Sequence, residues 1–508
     1  MGLWVFYFLG ETYLYYRGYI GFSFFINLTF ALFLIVPIPR RLRSRRLFMG
    51  MRLVAAIIAA FLILWSETRF PSILRTVKLL SETGGVSNAY IVRFLKDSVN
   101  LTQVGILALI LSACIFLNKR IVLTPLAFAA ILSVPLLAAS VNPSDMNAYL
   151  NHFYDKESKR VVTFDRPGNN APEFDIVILQ VCSLAWDDLR MVGLDKDPFL
   201  RQFDVVFTDF NTVSPYTNPS GIRLLRADCG QERHDDLYQN GPKKCYTLDA
   251  LREIGYKTYA AVDNYAPSYR FVEDIKTYGH ADQPIEMRDL PLRQYDFDRS
   301  PIYDDLAILN RWWNMRQTSQ AERVAFYMDI TTMHAGAHWA DDRAWWKRNP
   351  SVLYREFGVR LFSNLSTFFK TLEASGRNVV VIFVPEHGRA LRGSSIQPPD
   401  IREIPLPSIT NVPVGIKFIG KGISPLPMHQ ITVPGPTSYL ALAYLIKSFL
   451  SAPRFDRESL LTPAIINKIP ETAYVAEDRV NTVVKKDNKV FYCGKDKKWT
   501  VLPASALK

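Results

Sequence analysis

The sequence predicts an α/β domain, built on a mostly parallel sheet flanked by helices, behind an N-terminal bundle of transmembrane helices. Two observations support this architecture. Long apolar stretches are confined to the first 140 of the 508 residues, whereas from residue 173 onward short apolar, β-branched runs alternate with amphipathic segments. Such alternation is typical of parallel strands that are covered by helices on both faces.

The transmembrane bundle is predicted over residues 1–140. A helix needs about 20 apolar residues to cross a hydrocarbon core of ~30 Å at ~1.5 Å per residue. The stretches that come close to that length are Tyr19–Pro37, Leu101–Leu117 and Ile121–Ala139. Leu53–Trp65 is marginal, and the aromatic segment Leu3–Tyr16 can span the bilayer or lie at its interface despite Glu11. We therefore expect four or five transmembrane helices.

Charge predicts the orientation of this bundle, because loops rich in Lys and Arg stay on the cytoplasmic side. Lys119 and Arg120 lie in one short loop, and a second loop contains Arg40, Arg41, Arg43, Arg45, Arg46 and Arg52. No cleavable signal peptide is apparent, so the anchor is expected to be retained. Both loops then lie on the cytoplasmic side of a bacterial inner membrane, and everything after about residue 140 lies in the periplasm. The arginine loop accounts for part of the net charge of +12, which therefore gives no reason to expect a nucleic-acid partner.

The part outside the membrane is predicted to have two regions. Residues 141–172 are a periplasmic linker that opens with an amphipathic helix and ends in the polar, loop-forming stretch DRPGNNAPE. Residues 173–508 form the α/β domain. Beyond about residue 451 the pattern weakens into a tail, in which VNTVVKKDNKVFY indicates a β-hairpin.

Five apolar runs predict the strands of the α/β domain: Asp175–Val181, Val205–Phe210, Tyr256–Val262, Val324–Ile330 and Asn378–Val384. The clearest helical stretches between them are Thr217–Ala227, Tyr303–Met315 and Val352–Ser375. In parallel α/β sheets, binding sites gather at the carboxyl ends of the strands. Polar residues that directly follow a predicted strand are therefore the candidates for a functional site.

Two of the five cysteines indicate an oxidising compartment. Cys229 and Cys245 flank the polar stretch GQERHDDLYQNGPKK, which is the pattern of a loop closed by a disulfide. Cys114 lies in an apolar stretch and is interpreted as a small packing residue. Cys493 is expected to be unpaired.

Three candidate metal ligands follow predicted strands. Cys182 comes directly after DIVILQV, where a thiolate can bind zinc, although a lone cysteine after a buried strand is more often a core residue. Glu386 and His387 follow NVVVIFV and lie between Pro385 and Gly388. Adjacent side chains of a regular strand point to opposite faces, but a turn at this Pro and Gly lets both converge on one ion. The alternative for the Glu-His pair is a solvated surface loop.

A candidate nucleophile lies in the segment NTVSPYTNPSGIRLLRADC, where a strand ends and a helix begins near Thr217. A hydroxyl at this position is most often a helix cap. The same geometry favours an incoming phosphate, because the N-terminus of a helix offers free N–H groups and the positive end of its dipole. On this reasoning alone, Ser214 and Ser220 compete with Thr217 for the role.

Taken in order, six segments resemble the bacterial cellulose phosphoethanolamine transferases of the alkaline phosphatase and sulfatase superfamily. They are VCSLAWDDL, NTVSPYTNPSGIRLLRADCGQ, PIYDDLAILNRWW, MHAGAHW, VPEHGRAL and REIPLPSITNVPVGIKFIG. The resemblance covers nearly the whole chain, including the membrane part. It implies an alkaline phosphatase/sulfatase-like catalytic domain that transfers phosphoethanolamine from phosphatidylethanolamine to cellulose, with subunits of the cellulose synthase complex as partners.

The resemblance also implies roles for individual residues. Zinc ligands map to Cys182, Glu386 and His387, and the nucleophile, which also touches the metal, maps to Thr217. The residues that line the site map to Tyr216, His334 and Arg402, and the family disulfide falls on Cys229 and Cys245.

Two departures from the superfamily pattern bear on these roles. The cellulose enzymes have Ser at the nucleophile position, whereas this chain has Thr217, as lipid A phosphoethanolamine transferases do. The first zinc ligand is usually Asp in the superfamily, and Cys182 at that place is typical of the cellulose branch, so it favours cellulose over lipid A. Either His334 or His338 can act as acid and base. Their HxxxH spacing can also indicate a zinc pair on a helix, but no apolar periodicity supports a helix there, which favours substrate contact. The alternatives to this function are transfer to lipid A or another periplasmic glycan, and a membrane scaffold for cellulose synthase.

Overall fold

The computed structural model describes residues 1–37, 45–68, 101–137, 143–168, 171–265, 270–495 and 497–507. The described residues form a helical N-terminal region and, from residue 171 onward, an α/β region. The basic residues Arg40, Arg41 and Arg43 lie outside the described residues, as do residues 141–142 and 169–170 of the predicted linker.

The N-terminal region consists of apolar helices. In chain order they are α1 (Val5–Tyr16), α2 (Phe24–Ile35), α3 (Arg45–Glu67), α4 (Leu101–Leu117) and α5 (Thr124–Leu137). Among the described helices, α3 alone contains a stretch long and apolar enough to cross a bilayer, the 22 residues Arg46–Glu67. The segment predicted as marginal, Leu53–Trp65, is therefore the centre of the longest apolar helix.

Two of the predicted spans form shorter helices than expected. Tyr19–Pro37 yields the 12 residues of α2, because the chain before it turns to pair with the end of α3, where Gly21 N donates to Glu67 O at 2.8 Å. Ile121–Ala139 yields the 14 residues of α5. Within residues 1–37, 45–68 and 101–137 there is thus one helix of full length, and the number of transmembrane segments remains a prediction.

The surface of the N-terminal helices is apolar. Phe25 on α2, Leu101 on α4 and Leu136 on α5 are each at least 79% exposed. Apolar exposure on this scale is unusual for a water-facing surface and is what a lipid-facing surface requires.

After the N-terminal helices the chain contains both strands and helices. The strands are, in chain order, β1 (Asp175–Val181), β2 (Val205–Asn211), β3 (Tyr256–Val262), β4 (Leu292–Tyr295), β5 (Pro301–Tyr303), β6 (Arg323–Ile330), β7 (His338–Trp339), β8 (Val379–Pro385), β9 (Asn411–Ile419), β10 (Ile431–Val433), β11 (Val475–Glu477), β12 (Thr482–Lys486), β13 (Lys489–Cys493) and β14 (Trp499–Val501). The α-helices are α6 (Pro143–Glu157), α7 (Trp186–Val192), α8 (Thr217–Leu225), α9 (Thr247–Glu253), α10 (Phe271–Gly279), α11 (Asp305–Thr318), α12 (Pro350–Ser375), α13 (Pro407–Thr410), α14 (Leu440–Leu450), α15 (Arg457–Leu460) and α16 (Pro463–Ile466).

The main sheet has seven strands in the order β10-β2-β9-β8-β1-β6-β3. Its central strands β1 and β8 are buried along their whole length, as their continuous apolar sequences predict for a sheet covered on both faces. The five predicted strands are present, with ends that differ by a residue at most. The three predicted helices are also present, as α8, α11 and α12, with bounds close to the predicted ones.

The prediction of a mostly parallel sheet needs one correction, because the sheet is mixed. Strand β9 runs antiparallel to both of its neighbours, β2 and β8, whereas the other pairs in the sheet are parallel. No strand was predicted there, and Pro413 and Gly415 are residues that strand interiors disfavour. Gly415 is required by packing, because a Cβ at this position would lie 2.6 Å from the Phe203 ring.

The C-terminal segment is packed rather than a loose tail. The predicted hairpin is present as β12 and β13, and it belongs to a four-stranded antiparallel sheet, β11-β12-β13-β14. The predicted linker helix is α6, which packs on this sheet through Met146 and Phe153 against Val475 and Trp499. The linker and the C-terminus therefore hold each other in place.

The predicted disulfide between Cys229 and Cys245 is present, and neither Cys114 nor Cys493 belongs to a disulfide. The disulfide closes a loop beside the end of α8. Arg226 holds this loop through Glu232, with Nη1 2.9 Å from Oε2. The disulfide thus restrains the chain next to the helix that starts at Thr217.

Replacing Cys229 and Cys245 together by Ser is expected to destabilise the protein by about 3 kcal/mol, because the cross-link spans 16 residues of sequence and removes loop entropy from the unfolded chain. The measurement is the unfolding temperature of the purified chain in detergent. Cys493→Ser is the control, since this cysteine is not part of a disulfide, and we expect it to change the temperature far less. A double variant that unfolds at the wild-type temperature would contradict the prediction.

Candidate active site

The candidate site lies where β1 and β8 end side by side. The pairing of the two strands continues past their ends, because Glu386 N donates to Val181 O at 2.9 Å. Cys182 follows β1 directly, and its own N donates to Ile330 O of β6 at 2.8 Å. The residues that follow three neighbouring strands are therefore fixed by backbone hydrogen bonds at one edge of the sheet.

Cys182, Glu386 and His387 come together at this edge, and one ligand atom from each lies within 4.8 Å of the others. The Sγ atom of Cys182 is 3.9 Å from Nε2 of His387, which is 3.5 Å from Oε2 of Glu386. All three side chains are fully buried. The structure thus joins the thiol, carboxyl and imidazole that the sequence analysis selected.

The turn after β8 lets adjacent residues converge. Leu184 N donates to His387 O, and Gly388 N donates to Ile409 O, each at 2.6 Å, so the backbone leaves the strand direction here. His387 Nδ1 lies 2.9 Å from Gly388 O and donates to it. This bond leaves Nε2 as the unprotonated nitrogen that faces Cys182 and Glu386.

Burial works against charge on every member of this cluster. It raises the pKa of the Cys182 thiol well above its usual value, and the nearby Glu386 carboxylate raises it further. Burial likewise raises the pKa of Glu386. It lowers the pKa of His387 well below its usual value, and Arg402 adds to this effect.

The residues present fit a metal cation. Neither carboxyl oxygen of Glu386 has a hydrogen-bond partner among the described residues, although the side chain is fully buried. A buried carboxylate without partners is costly unless a cation compensates it. Sulfur, nitrogen and oxygen donors together are typical of zinc sites.

Thr217 lies beside this donor set as the first residue of α8. Its Oγ1 is 3.5 Å from Cys182 Sγ and 3.5 Å from His387 Nε2. The two competing serines are fully buried and make backbone contacts, with Ser220 Oγ donating to Glu386 O at 3.2 Å and Ser214 Oγ accepting from Tyr216 N at 3.4 Å. Of the three hydroxyls, Thr217 is the one that faces both the donors and the pocket described next.

A pocket of about 250 Å³ opens beside Thr217. His334 lines it, and its Nδ1 is 2.8 Å from Oδ1 of Asp296. Because this carboxylate accepts from Nδ1, it fixes the orientation of the imidazole ring and places the proton of the neutral form on Nδ1. His334 is thus oriented for acid–base work next to the hydroxyl.

Arg402 and Tyr216 flank the donor set. Arg402 Nη1 donates to Ser183 Oγ at 3.0 Å, and Ser183 follows Cys182. Tyr216 donates its hydroxyl proton to Glu403 Oε1 at 2.8 Å. Both of these residues therefore lie near the candidate site, where the sequence analysis expected them.

His338 is not among the described residues that line the pocket. It belongs to β7, and its ring stacks on Trp345 with centroids 4.5 Å apart. Burial lowers its pKa. Of the two histidines, His334 is therefore the one placed beside Thr217, and the roles of both stay predictions.

The chain matches two protein-family models, which together cover most of its length. The profile of the cellulose biosynthesis protein BcsG C-terminal domain matches residues 134–499, and that of the BcsG N-terminal domain matches residues 4–136. The cellulose biosynthesis protein BcsG of Escherichia coli (strain K12) is 30% identical over 536 aligned residues, which cover 96% of this chain and 94% of the relative.

The chain belongs to the BcsG family of cellulose biosynthesis proteins. Solved structures are more distant from this BcsG family member. A protein in the alkaline phosphatase superfamily from Vibrio parahaemolyticus aligns with a TM-score of 0.48 at 15% identity, over 71% of this chain and 90% of that one. The lipooligosaccharide phosphoethanolamine transferase A of Neisseria meningitidis, an integral membrane protein, aligns with a TM-score of 0.43 at 13% identity, over 87% and 98% of the two chains.

Several residues of the candidate site were not predicted from the sequence. Asp296 lies between two short strands, and no local pattern marks it as the partner of His334. Ser183 and Asp329 had a detectable signal, because each lies within two residues of the carboxyl end of a predicted strand. Asp329 is fully buried, and burial together with Glu386 raises its pKa well above the usual value.

Gly388 provides a test of how tightly the donors are positioned. A Cβ at this residue would lie 2.6 Å from both Ala185 Cβ and Asp188 Oδ2, so Gly388→Ala must shift the turn that carries His387. We expect about tenfold weaker zinc binding, measured by competition with a chromophoric chelator. Gly168→Ala is the matched control, because nothing lies within 4 Å of its Cβ position. Equal zinc affinity in the two variants would contradict a tightly positioned site.

Proposed function

We propose that this chain is a zinc-dependent phosphoethanolamine transferase, which takes its group from phosphatidylethanolamine and places it on glucosyl hydroxyls of cellulose. The observation that carries the proposal is the Thr217 hydroxyl, which lies 3.5 Å from two members of a fully buried thiol, carboxyl and imidazole cluster. Membership of a cellulose biosynthesis family supports cellulose as the acceptor. The resemblance of the motifs supports phosphatidylethanolamine as the donor.

Cys182, Glu386 and His387 would hold the zinc ion. When bound, the ion supplies a Lewis acid that favours the ionised form of a hydroxyl beside it. Burial of the three ligands excludes water, which strengthens electrostatic interactions inside the site.

In the first half-reaction, Thr217 Oγ1 forms a bond to the phosphorus of phosphatidylethanolamine and gives up its proton to solvent through the pocket. The bond between phosphorus and the oxygen of diacylglycerol breaks, and protonated His334 gives that oxygen a proton. Asp296 stabilises the protonated imidazole through its contact with Nδ1. Phosphoethanolamine is then covalently attached to Thr217.

In the second half-reaction, a glucosyl hydroxyl, by family analogy the 6-hydroxyl, attacks the same phosphorus. His334 takes the proton of that hydroxyl, the bond from phosphorus to Thr217 breaks, and Thr217 regains a proton from solvent. Arg402 pairs with phosphoryl oxygens in both steps, and the N-terminus of α8 favours their negative charge. The enzyme returns to its starting protonation state.

The N-terminal helices support an inner-membrane location with the catalytic domain in the periplasm. The donor is a membrane lipid, so an anchored active site meets it at high effective concentration. The disulfide between Cys229 and Cys245 fits an oxidising compartment. We propose that several helices span the bilayer and that they also contact subunits of the cellulose synthase complex.

Thr217→Ala should abolish the covalent intermediate and lower transfer by on the order of 10³-fold or more, because the nucleophile is lost. The measurement is intact mass after incubation with phosphatidylethanolamine, followed by peptide mapping to Thr217. Thr217→Ser is the matched control, since it keeps the hydroxyl, and it should still form the adduct. Full cellulose modification by Thr217→Ala would instead favour a scaffold role, and mass spectrometry of the product separates cellulose from lipid A as acceptor.

Replacing any one of the three proposed zinc ligands should lower the zinc content of the protein. Cys182→Ala, Glu386→Gln and His387→Ala are each expected to lower the zinc content well below about one ion per chain, because each removes a donor. Elemental analysis after dialysis measures this content. Glu356→Gln is a control for the carboxylate change, since Glu356 is paired with Arg348 away from the site and should keep its zinc. A zinc content unchanged in all three variants would refute the assigned ligands.

A further inference from the structure

The pocket beside Thr217 has a lining that suits a cation. Three carboxyl groups line it, from Glu273, Asp296 and Asp329, together with the rings of Tyr265 and Phe271. No lysine or arginine is among the described residues of this lining. Carboxylates and aromatic faces both attract a positively charged group.

We propose that this pocket binds the ammonium group of ethanolamine, with Glu273 as its counter-ion and Asn264 Oδ1 as a hydrogen-bond acceptor. The inference rests on the proposed phosphoethanolamine transfer and adds to it the part of the site that selects the headgroup. The catalytic atoms bind the phosphate end of this group, and the pocket binds its other end, two carbons away.

Two buried oxygen atoms in the pocket lack partners. Asn264 is 9% exposed and Asp329 is 1% exposed, and Oδ1 of each has no hydrogen bond within the described part of the chain. Asn264 Nδ2 lies 3.4 Å from Asp296 Oδ2 and donates to it, so its carbonyl oxygen is the atom left to accept. An ammonium group carries three donors and can satisfy such oxygens. Asp296 already has His334 and Phe297 N as partners, so its role is to orient them.

Glu273 is held at a fixed position relative to the nucleophile. It lies in the first turn of α10, exposed at the pocket. Helices α8 and α10 are in close contact, because a Cβ at Gly221 would lie 2.9 Å from the Phe271 ring. Asn218, the residue after Thr217, donates to Asp274 Oδ2 at 2.6 Å. The packing of the two helices therefore fixes the backbone position of Glu273 relative to Thr217, and the Glu273 side chain extends from there at the pocket.

The charge of the lining also disfavours other headgroups. An anionic headgroup is repelled by the Glu273 carboxylate, and a neutral headgroup without a hydrogen-bond donor, such as propanol, leaves the buried Asn264 oxygen without a partner. The pocket thus distinguishes ethanolamine from headgroups of similar size by charge rather than by shape.

The test uses the full-length chain in detergent micelles with two donor lipids, phosphatidylethanolamine and phosphatidylpropanol, which has a methyl group in place of the ammonium. The readout is kcat/KM for diacylglycerol release with each donor. Wild-type protein should prefer phosphatidylethanolamine by about tenfold. Glu273→Gln should reduce that preference by about threefold to tenfold, through a higher KM for phosphatidylethanolamine and little change for phosphatidylpropanol. Glu286→Gln, an exposed carboxylate outside the pocket lining, should keep the wild-type preference.

The outcomes separate this inference from the proposed function. If wild-type protein uses both lipids equally, or if Glu273→Gln slows both donors equally, the ammonium site is wrong and transfer through Thr217 stands. If neither lipid places an adduct on Thr217, the proposed function fails and the ammonium site fails with it. A selective loss with phosphatidylethanolamine alone supports both.

Discussion

The structure depends on one electrostatic constraint, which is that a thiol, a carboxyl and an imidazole share a volume from which water is excluded. Placing a charge in such a volume costs several kcal/mol unless an opposite charge is present. Cys182 and Glu386 are therefore driven toward their protonated forms, and a cation is the partner that reverses this preference for both. The backbone pairing of β1, β6 and β8 holds the three groups together in spite of that cost.

The backbone around the site also departs from its preferred conformations. Ser183, Val213 and Ala390 all have φ between 59° and 68°, which is the left-handed region that residues with a Cβ avoid. Val213 is β-branched, so the preference against this region is strongest there. Each of the three lies in a loop that follows one of the strands β1, β2 and β8. The loops leave the sheet sharply at these points, and this is how the reactive side chains converge instead of following the strand directions.

Local sequence signals account for much of the fold and for the centre of the site. Cys182 and Glu386 each follow a continuous apolar run, and Thr217 lies where a strand gives way to a helix, so their positions follow from the pattern of strands. The partner of His334 could not be found in this way, because Asp296 is 38 residues distant and lies between two very short strands. Strand β9 was not predicted, and it contains Pro413 and Gly415, which strand interiors disfavour; only the neighbouring Phe203 ring explains the glycine.

The docking of α6 on the C-terminal sheet changes how the membrane anchor acts. Asn147 Oδ1 accepts from Trp499 Nε1 at 3.0 Å, so a polar contact accompanies the apolar one. A connecting helix that packs on the domain it joins does not behave as a flexible linker, because packing fixes its position on that domain. Under the proposed function, α6 moves with the catalytic domain, so the reach of the membrane tether is shorter than the full predicted linker of residues 141–172 would allow.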